Sequence, residues 1–239
     1  MRASGKAELG IASEMIQFES RESMRRYEDF LSRWKHVIGH YYSERKQSII
    51  EARGQYTWSG SRDALEKRIQ QALAMNGNGV KIDIFEEVEY WGFGVKTISK
   101  YNDEETILRK TKVAFDNLKL GRLKEAAEER DGLPHVGPAR ATKLLALSDQ
   151  KIYGIYDARA SNALREVNYL AGQIIIPVLP GRTITGTGGN HALGFENFTW
   201  ALRFMAESFS TEYPGCKAWR VADVEMALFV LGRRSASPR

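Results

Sequence analysis

The residues best suited to chemistry lie between Asp131 and Leu164. Leu133-Pro134-His135-Val136-Gly137 reads as a tight hairpin. Pro134 fixes one turn residue, and Gly137 supplies backbone geometry that a side chain would block. Pro138 suits the first position of the next helix, where its missing N–H is not needed. Ala141, Leu144, Leu145 and Ser148 then recur at helical spacing. A hairpin opening into a helix presents backbone N–H groups and a helix N-terminus, which together make a phosphate cradle. Arg140 and Lys143 add positive charge in the first turns, of a kind that holds a nucleic-acid backbone without reading its sequence. Further on, Asp157 opens another helix, whose N-terminus favours the ionised carboxylate. Such a carboxylate stabilises the positive charge that builds on a sugar as an N-glycosidic bond breaks. It can also orient or deprotonate the attacking water. The same position suits a plain N-cap, and the roles are compatible because a capping carboxylate is held rigid.

The run L-P-x-V-G-x-x-x-A from Leu133 to Ala141, followed by an aspartate, resembles the helix-hairpin-helix DNA glycosylase superfamily. In that family a hairpin of the form L-P-G-V-G-x-K/S-x-A grips the DNA backbone, and the catalytic aspartate follows the K/S position by eighteen residues. Here Ala139 holds the K/S position, and eighteen residues on stands Asp157. A basic residue early in the helix after the aspartate touches a phosphate in the family, and Arg159 matches that place. The resemblance implies an all-α fold of two lobes over residues 1–239, with the motif at 122–148 and DNA across the cleft. It makes Asp157 catalytic and sets Leu133, His135, Val136, Gly137, Ala139, Arg140, Lys143 and Arg159 at the DNA. Hairpin carbonyls in this family bind a monovalent cation, and Leu133 to Val136 would supply them.

Two departures stand out. His135 replaces the first motif glycine, and Ala139 replaces the lysine that forms a Schiff base in bifunctional members. The implied activity is therefore a monofunctional glycosylase that flips a base from double-stranded DNA and hydrolyses its bond to the sugar. Lys143 and Lys151 keep a lyase open. The excised base is an oxidised purine, an alkylated base or a hypermodified viral cytosine, the last implying defence rather than repair. The segment WRVADVEMALF near the end also resembles bacterial 8-oxoguanine-glycosylase-like proteins. The alternative is a non-catalytic DNA-binding protein that uses the hairpin alone.

A flipped base needs aromatic surface around it. Trp91, Phe93, Tyr153, Tyr156, Trp200 and Trp219 are the candidates. Trp91-Gly92-Phe93-Gly94 reads either as a loop of rings near DNA or as a helix end stopped by glycine with its rings in the core.

Net charge of +5 fits an anionic partner, and 43% hydrophobic residues fit an ordinary core. The lone cysteine, Cys216, excludes an internal disulfide and the four-cysteine iron–sulfur cluster of part of the superfamily. No histidine–acid pair has metal spacing. No signal peptide or membrane span is read, so a cytoplasmic or nucleoid location is expected; a monomer is expected as well.

The positioning elements read as helices almost throughout. They are expected over Ser20–Ala52, Ser59–Met75 with Ser59 or Ser61 as cap, Asp83–Trp91, Asn102 or Asp103 to Leu118, and Leu123–Arg130. More follow after the hairpin, from Asp157 to Leu170, over Phe195–Thr211 and over Val221–Leu231. Residues 1 to about 20 read as a frayed start, Gln173–His191 as a long loop, and 233–239 as a disordered basic tail.

Overall fold

The computed structural model describes residues 20–57, 59–179 and 190–235. The frayed start, most of the Gly/Thr loop and the end of the basic tail lie outside the described residues. Every regular element among the described residues is an α-helix.

Helix α1 (Arg21–Gly54) is capped by Ser20, whose hydroxyl accepts from the Ser23 N–H at 3.1 Å. Helices α2 (Ser59–Met75) and α3 (Ile82–Phe93) follow, then a short α4 (Ile98–Tyr101) that periodicity does not reveal. Asp103 caps α5 (Glu104–Lys119), which precedes α6 (Leu123–Asp131) and α7 (Pro138–Ser148). An extended segment leads to α8 (Ala158–Ala163) and α9 (Arg165–Ala171), and the chain closes with α10 (Asn190–Glu212) and α11 (Val221–Ser235). Helix α1 packs on α9, α10 and α11, so the first and last described helices meet. Helices α2 to α7 pack among themselves, and α10 joins them through α6 and α7. One hydrophobic core runs through both groups.

Four boundaries differ from expectation, each for a long-range reason. The single helix expected after Asp157 is two, broken at Leu164. The break leaves the Ala163 carbonyl outside the helical ladder, and the Tyr41 hydroxyl of α1 donates to it at 3.0 Å. Ser61 does not cap α2 but lies inside it, where its hydroxyl accepts from the Trp91 indole N–H at 2.8 Å. Helix α10 starts at Asn190 rather than Phe195, and it includes Gly194. A side chain at Gly194 would come 2.6 Å from the Tyr156 hydroxyl oxygen, so this glycine serves close packing and not a loop. Helix α11 runs on to Ser235, so residues 233–235 are helical and not part of a disordered tail. Gly232 does not stop the helix. A Cβ there would come 2.0 Å from the Arg159 carbonyl oxygen, and its absence lets α11 lie directly on α8.

That contact yields a prediction of opposite sign to helix propensity. In an open helix Gly→Ala stabilises by about 1 kcal/mol. Gly232→Ala should instead destabilise by about 1–3 kcal/mol through overpacking. Urea unfolding of Gly232→Ala beside Gly54→Ala, where a Cβ meets nothing within 4 Å, checks it.

Candidate active site

Asp157 is the N-cap of α8, with the extended backbone that a cap needs. Its Oδ1 accepts from the N–H groups of Arg159 at 3.0 Å and Ala160 at 2.8 Å. No hydrogen bond reaches Oδ2 among the described residues. One oxygen therefore fixes the group, and the other keeps its lone pairs. The residue before it, Tyr156, is buried, and its hydroxyl donates to the Pro177 carbonyl. Its own carbonyl accepts from the Thr142 hydroxyl of α7 at 3.1 Å. This bond ties Asp157 to α7 one residue away from Lys143.

Lys143 is 7% exposed. Its stem lies along α3, where Gly92 leaves room for it: a Cβ at Gly92 would come 2.5 Å from Lys143 Cε. Its Nζ stands 4.9 Å from the centre of the Phe93 ring. No carboxylate oxygen lies within 4.0 Å of that nitrogen among the described residues. Burial pushes the lysine pKa down, and the charges of Arg62 and Arg159 push the same way. Asp157 and Glu225 pull it back without cancelling the effect of burial.

A buried ion pair completes the cluster. Arg62 of α2 and Glu225 of α11 are 0% and 2% exposed in their side chains, and Arg62 Nη1 lies 2.7 Å from Glu225 Oε2. The same nitrogen donates to the Tyr56 hydroxyl at 3.3 Å. The rings of Tyr56 and Trp91 lie 5.8 and 5.7 Å from the guanidinium. Burial raises the Glu225 pKa, and the nearby Asp157 charge raises it further, against the pull of Arg62 and Lys143. Neither Arg62 nor Glu225 was expected here. Each nevertheless takes a place on an apolar stripe, Arg62 with Leu65 and Ile69, and Glu225 with Val221 and Leu228. A charge on such a stripe is the signal that marks a buried pair.

In the turn before α7 the special backbone geometry falls on His135 and not on Gly137, whose φ of −81° and ψ of 173° are extended backbone that any residue adopts. His135 takes φ 61°, the left-handed conformation that glycine adopts without strain. Its ring stacks on Tyr101 at 3.6 Å. Leu133 and Val136 are buried, and the Val136 N–H donates to the Leu133 carbonyl at 3.1 Å. The N–H groups of Gly137 and Ala139 have no backbone acceptor among the described residues. The Pro134 carbonyl accepts from Asn102, and the His135 carbonyl accepts from Arg140 at 2.8 Å. A cation at these carbonyls would have to displace Arg140. Arg140 itself is tied to buried Glu89 at 3.2 Å and lies over Phe93. Arg159 is exposed beside Asp157 with its guanidinium over Phe229.

The expected aromatic set divides. Trp91 and Phe93 stand at the cluster, one at Arg62 and one at Lys143 and Arg140. They lie in the last turn of α3, which Gly94 ends in the left-handed conformation, so the stretch is a helix end and not a loop. Phe93 is nonetheless 42% exposed. Tyr153 instead directs its hydroxyl to the Leu118 carbonyl at 3.5 Å, and Trp219 stacks on Phe209 at 4.1 Å and 15°. Tyr156 and Trp200 are buried in the core. No group of three or more His, Cys, Asp and Glu side chains among the described residues could hold a metal. The sequence matches no family model, no curated protein and no solved structure.

Two stability predictions follow from the cluster. Glu225→Leu leaves a buried guanidinium without its counter-charge and should cost about 3–5 kcal/mol, whereas Arg62→Met with Glu225→Leu should recover most of that loss. Urea unfolding of the three variants measures it. Lys143→Met removes a buried amine and should stabilise at neutral pH by about 1–2 kcal/mol. Folding lowers this lysine's pKa, so the unfolded chain binds more protons. Wild-type stability should therefore rise between the folded-state pKa and about 10.4, and the advantage of Lys143→Met should shrink over that window.

Proposed function

We propose that this protein is a DNA glycosylase, which draws a modified base out of double-stranded DNA and cleaves its N-glycosidic bond at Asp157. The observation that carries the reading is the Asp157 carboxylate. It is fixed through one oxygen by two N–H groups of α8 and leaves the other oxygen uncommitted. It also stands eighteen residues beyond Ala139, the spacing of the family that the sequence resembles. A rigid anion near the anomeric carbon stabilises the oxocarbenium-like state more than the substrate, which is what lowers the barrier. The attacking water would be oriented by Oδ2, the oxygen with no protein partner.

DNA would approach along the hairpin and the start of α8. The N–H groups of Gly137 and Ala139 and the exposed Arg159 are the donors for backbone phosphates. Arg140 contributes by holding the hairpin through the His135 carbonyl, because its charge is already engaged by Glu89. Phe93 at Lys143 and Trp91 at Arg62 offer ring surface on which an extruded base could stack. The substrate is a damaged or hypermodified base, and the protein would act as a monomer among nucleic acid. No helix among the described residues is long and apolar enough to cross a membrane.

Asp157→Asn separates chemistry from folding, because asparagine caps a helix about as well as aspartate. The variant should keep wild-type stability within about 1 kcal/mol and keep its affinity for duplex DNA. Base release should fall by about 10²–10³ or more. Release from duplexes carrying oxidised, alkylated, deaminated or glucosylated bases, followed by alkali to cut abasic sites, reads this out. Equal release by Asp157→Asn would remove Asp157 from the chemistry. Binding with no release from any duplex would favour a non-catalytic DNA-binding role.

A further inference from the structure

We infer that the Asn76–Gly77 peptide is a site of spontaneous deamidation through a cyclic imide, and that the adjoining Asn78–Gly79 peptide is protected from it. The inference does not depend on the glycosylase reading. The run Asn76-Gly77-Asn78-Gly79 lies between α2 and α3 and holds the same reactive dipeptide twice. In each pair the nitrogen after the asparagine belongs to a glycine, with no side chain to shield it. That nitrogen can attack the asparagine's own side-chain carbonyl carbon, a covalent change that needs no enzyme. The two pairs are alike in sequence, and the fold decides which nitrogen is free.

At the second pair every part that would have to move is held. The Asn78 amide nitrogen donates to Asp116 Oδ1 of α5 at 2.8 Å, and Lys119 of α5 donates to Asn78 Oδ1. The Gly79 N–H donates to the Asn76 carbonyl at 3.1 Å. Gly79 is buried, and a Cβ there would come 2.5 Å from Leu108 Cδ1, so this backbone lies directly on α5. The next N–H, that of Val80, donates to the Thr111 hydroxyl at 2.8 Å. Ring closure at Asn78 would break bonds at both reacting groups and draw buried backbone off α5.

The first pair is open. Gly77 is exposed, and a Cβ there would meet nothing within 4 Å. Its N–H makes no hydrogen bond among the described residues. The Asn76 side chain is held by one neutral bond, from its amide nitrogen to the Ala72 carbonyl at 3.0 Å. Breaking that bond frees the leaving group and leaves the rest of the turn anchored through Asn78 and Gly79.

The step balances with water alone. The Gly77 nitrogen loses its proton to solvent and bonds to Asn76 Cγ. The bond from Cγ to the side-chain nitrogen breaks, and ammonia leaves with a proton from solvent. Water then opens the imide at one of its two carbonyls, giving aspartate or isoaspartate. Either product sets a carboxylate at the C-terminal end of α2, where the helix dipole disfavours negative charge, and removes the donor to Ala72. Isoaspartate also adds a carbon to the chain that links α2 to α3.

The test ages the folded full chain in mildly alkaline buffer. The protein is then digested under mildly acidic conditions and mapped by mass spectrometry with electron-transfer fragmentation, which locates the change and separates aspartate from isoaspartate. Asn76 should convert about tenfold or more faster than Asn78, because ring closure at Asn78 alone must break a bond to a carboxylate and a backbone bond. The same chain aged in urea should convert at both positions at similar rates. Asp116→Ala, which frees the Asn78 side chain, should raise conversion at Asn78 and leave Asn76 unchanged. The wild-type comparison of folded and unfolded chain decides the matter even if Asp116→Ala folds poorly. Equal conversion at both positions in the folded chain, faster conversion at Asn78, or no conversion at Asn76 overturns the inference.

Discussion

The buried pair of Arg62 and Glu225 is the constraint on which the rest of the site depends. One partner comes from the central helices and the other from the last helix, with neither reaching solvent. A charge moved out of water is costly unless its partner is placed well, so the pair tolerates little displacement of α11 from α2. Around it runs a chain of polar contacts that fastens the same two helices to the segment leading to Asp157. The Gln150 N–H donates to Glu66 of α2, while the Val221 and Ala222 N–H groups at the start of α11 donate to the carbonyls of Lys151 and Gln150. Arg220 pairs with Asp63 and Asp223, and Arg53 of α1 pairs with Asp223. The approach to Asp157 is thus clamped from α1, α2 and α11 together.

Glycines let these elements come close enough for the clamp to close. Gly154 passes under α11 where a Cβ would come 2.5 Å from Leu202 and 3.2 Å from Glu225. Gly232 lets the end of α11 meet Arg159, and Gly92 makes the berth of Lys143. Only Gly94, of the glycines around the cluster, works by its backbone angle, closing α3 so that Phe93 faces outward. Absence of a side chain, more than backbone freedom, is what glycine contributes to this site.

The cluster and the hairpin also carry a cost in stability. Lys143 is buried without an ion pair among the described residues, and His135 holds a left-handed backbone that a glycine would hold without strain. The stack of His135 on Tyr101 and the grip of Arg140 on its carbonyl offset part of that strain.

The sequence by itself determined the all-helical class, most helix ends, and the place of Asp157 at the start of α8. Caps, turn residues and helical periodicity act between neighbours in the chain, so they are legible there. The hairpin at Leu133–Gly137 and the eighteen-residue spacing were legible for the same reason. Tertiary packing alone decided that Trp91 and Phe93 stand at the cluster while Trp219 stacks on Phe209 and Tyr153 reaches toward α5. It alone broke the helix at Leu164, carried α11 past Gly232, and buried Lys143 where the Asp157 charge acts on it. It also joined Arg62 to Glu225 across most of the chain. Which face of a helix is covered, and by what, depends on partners far away in sequence. An aromatic or a charge therefore shows its type in the sequence, and its neighbours only in the fold.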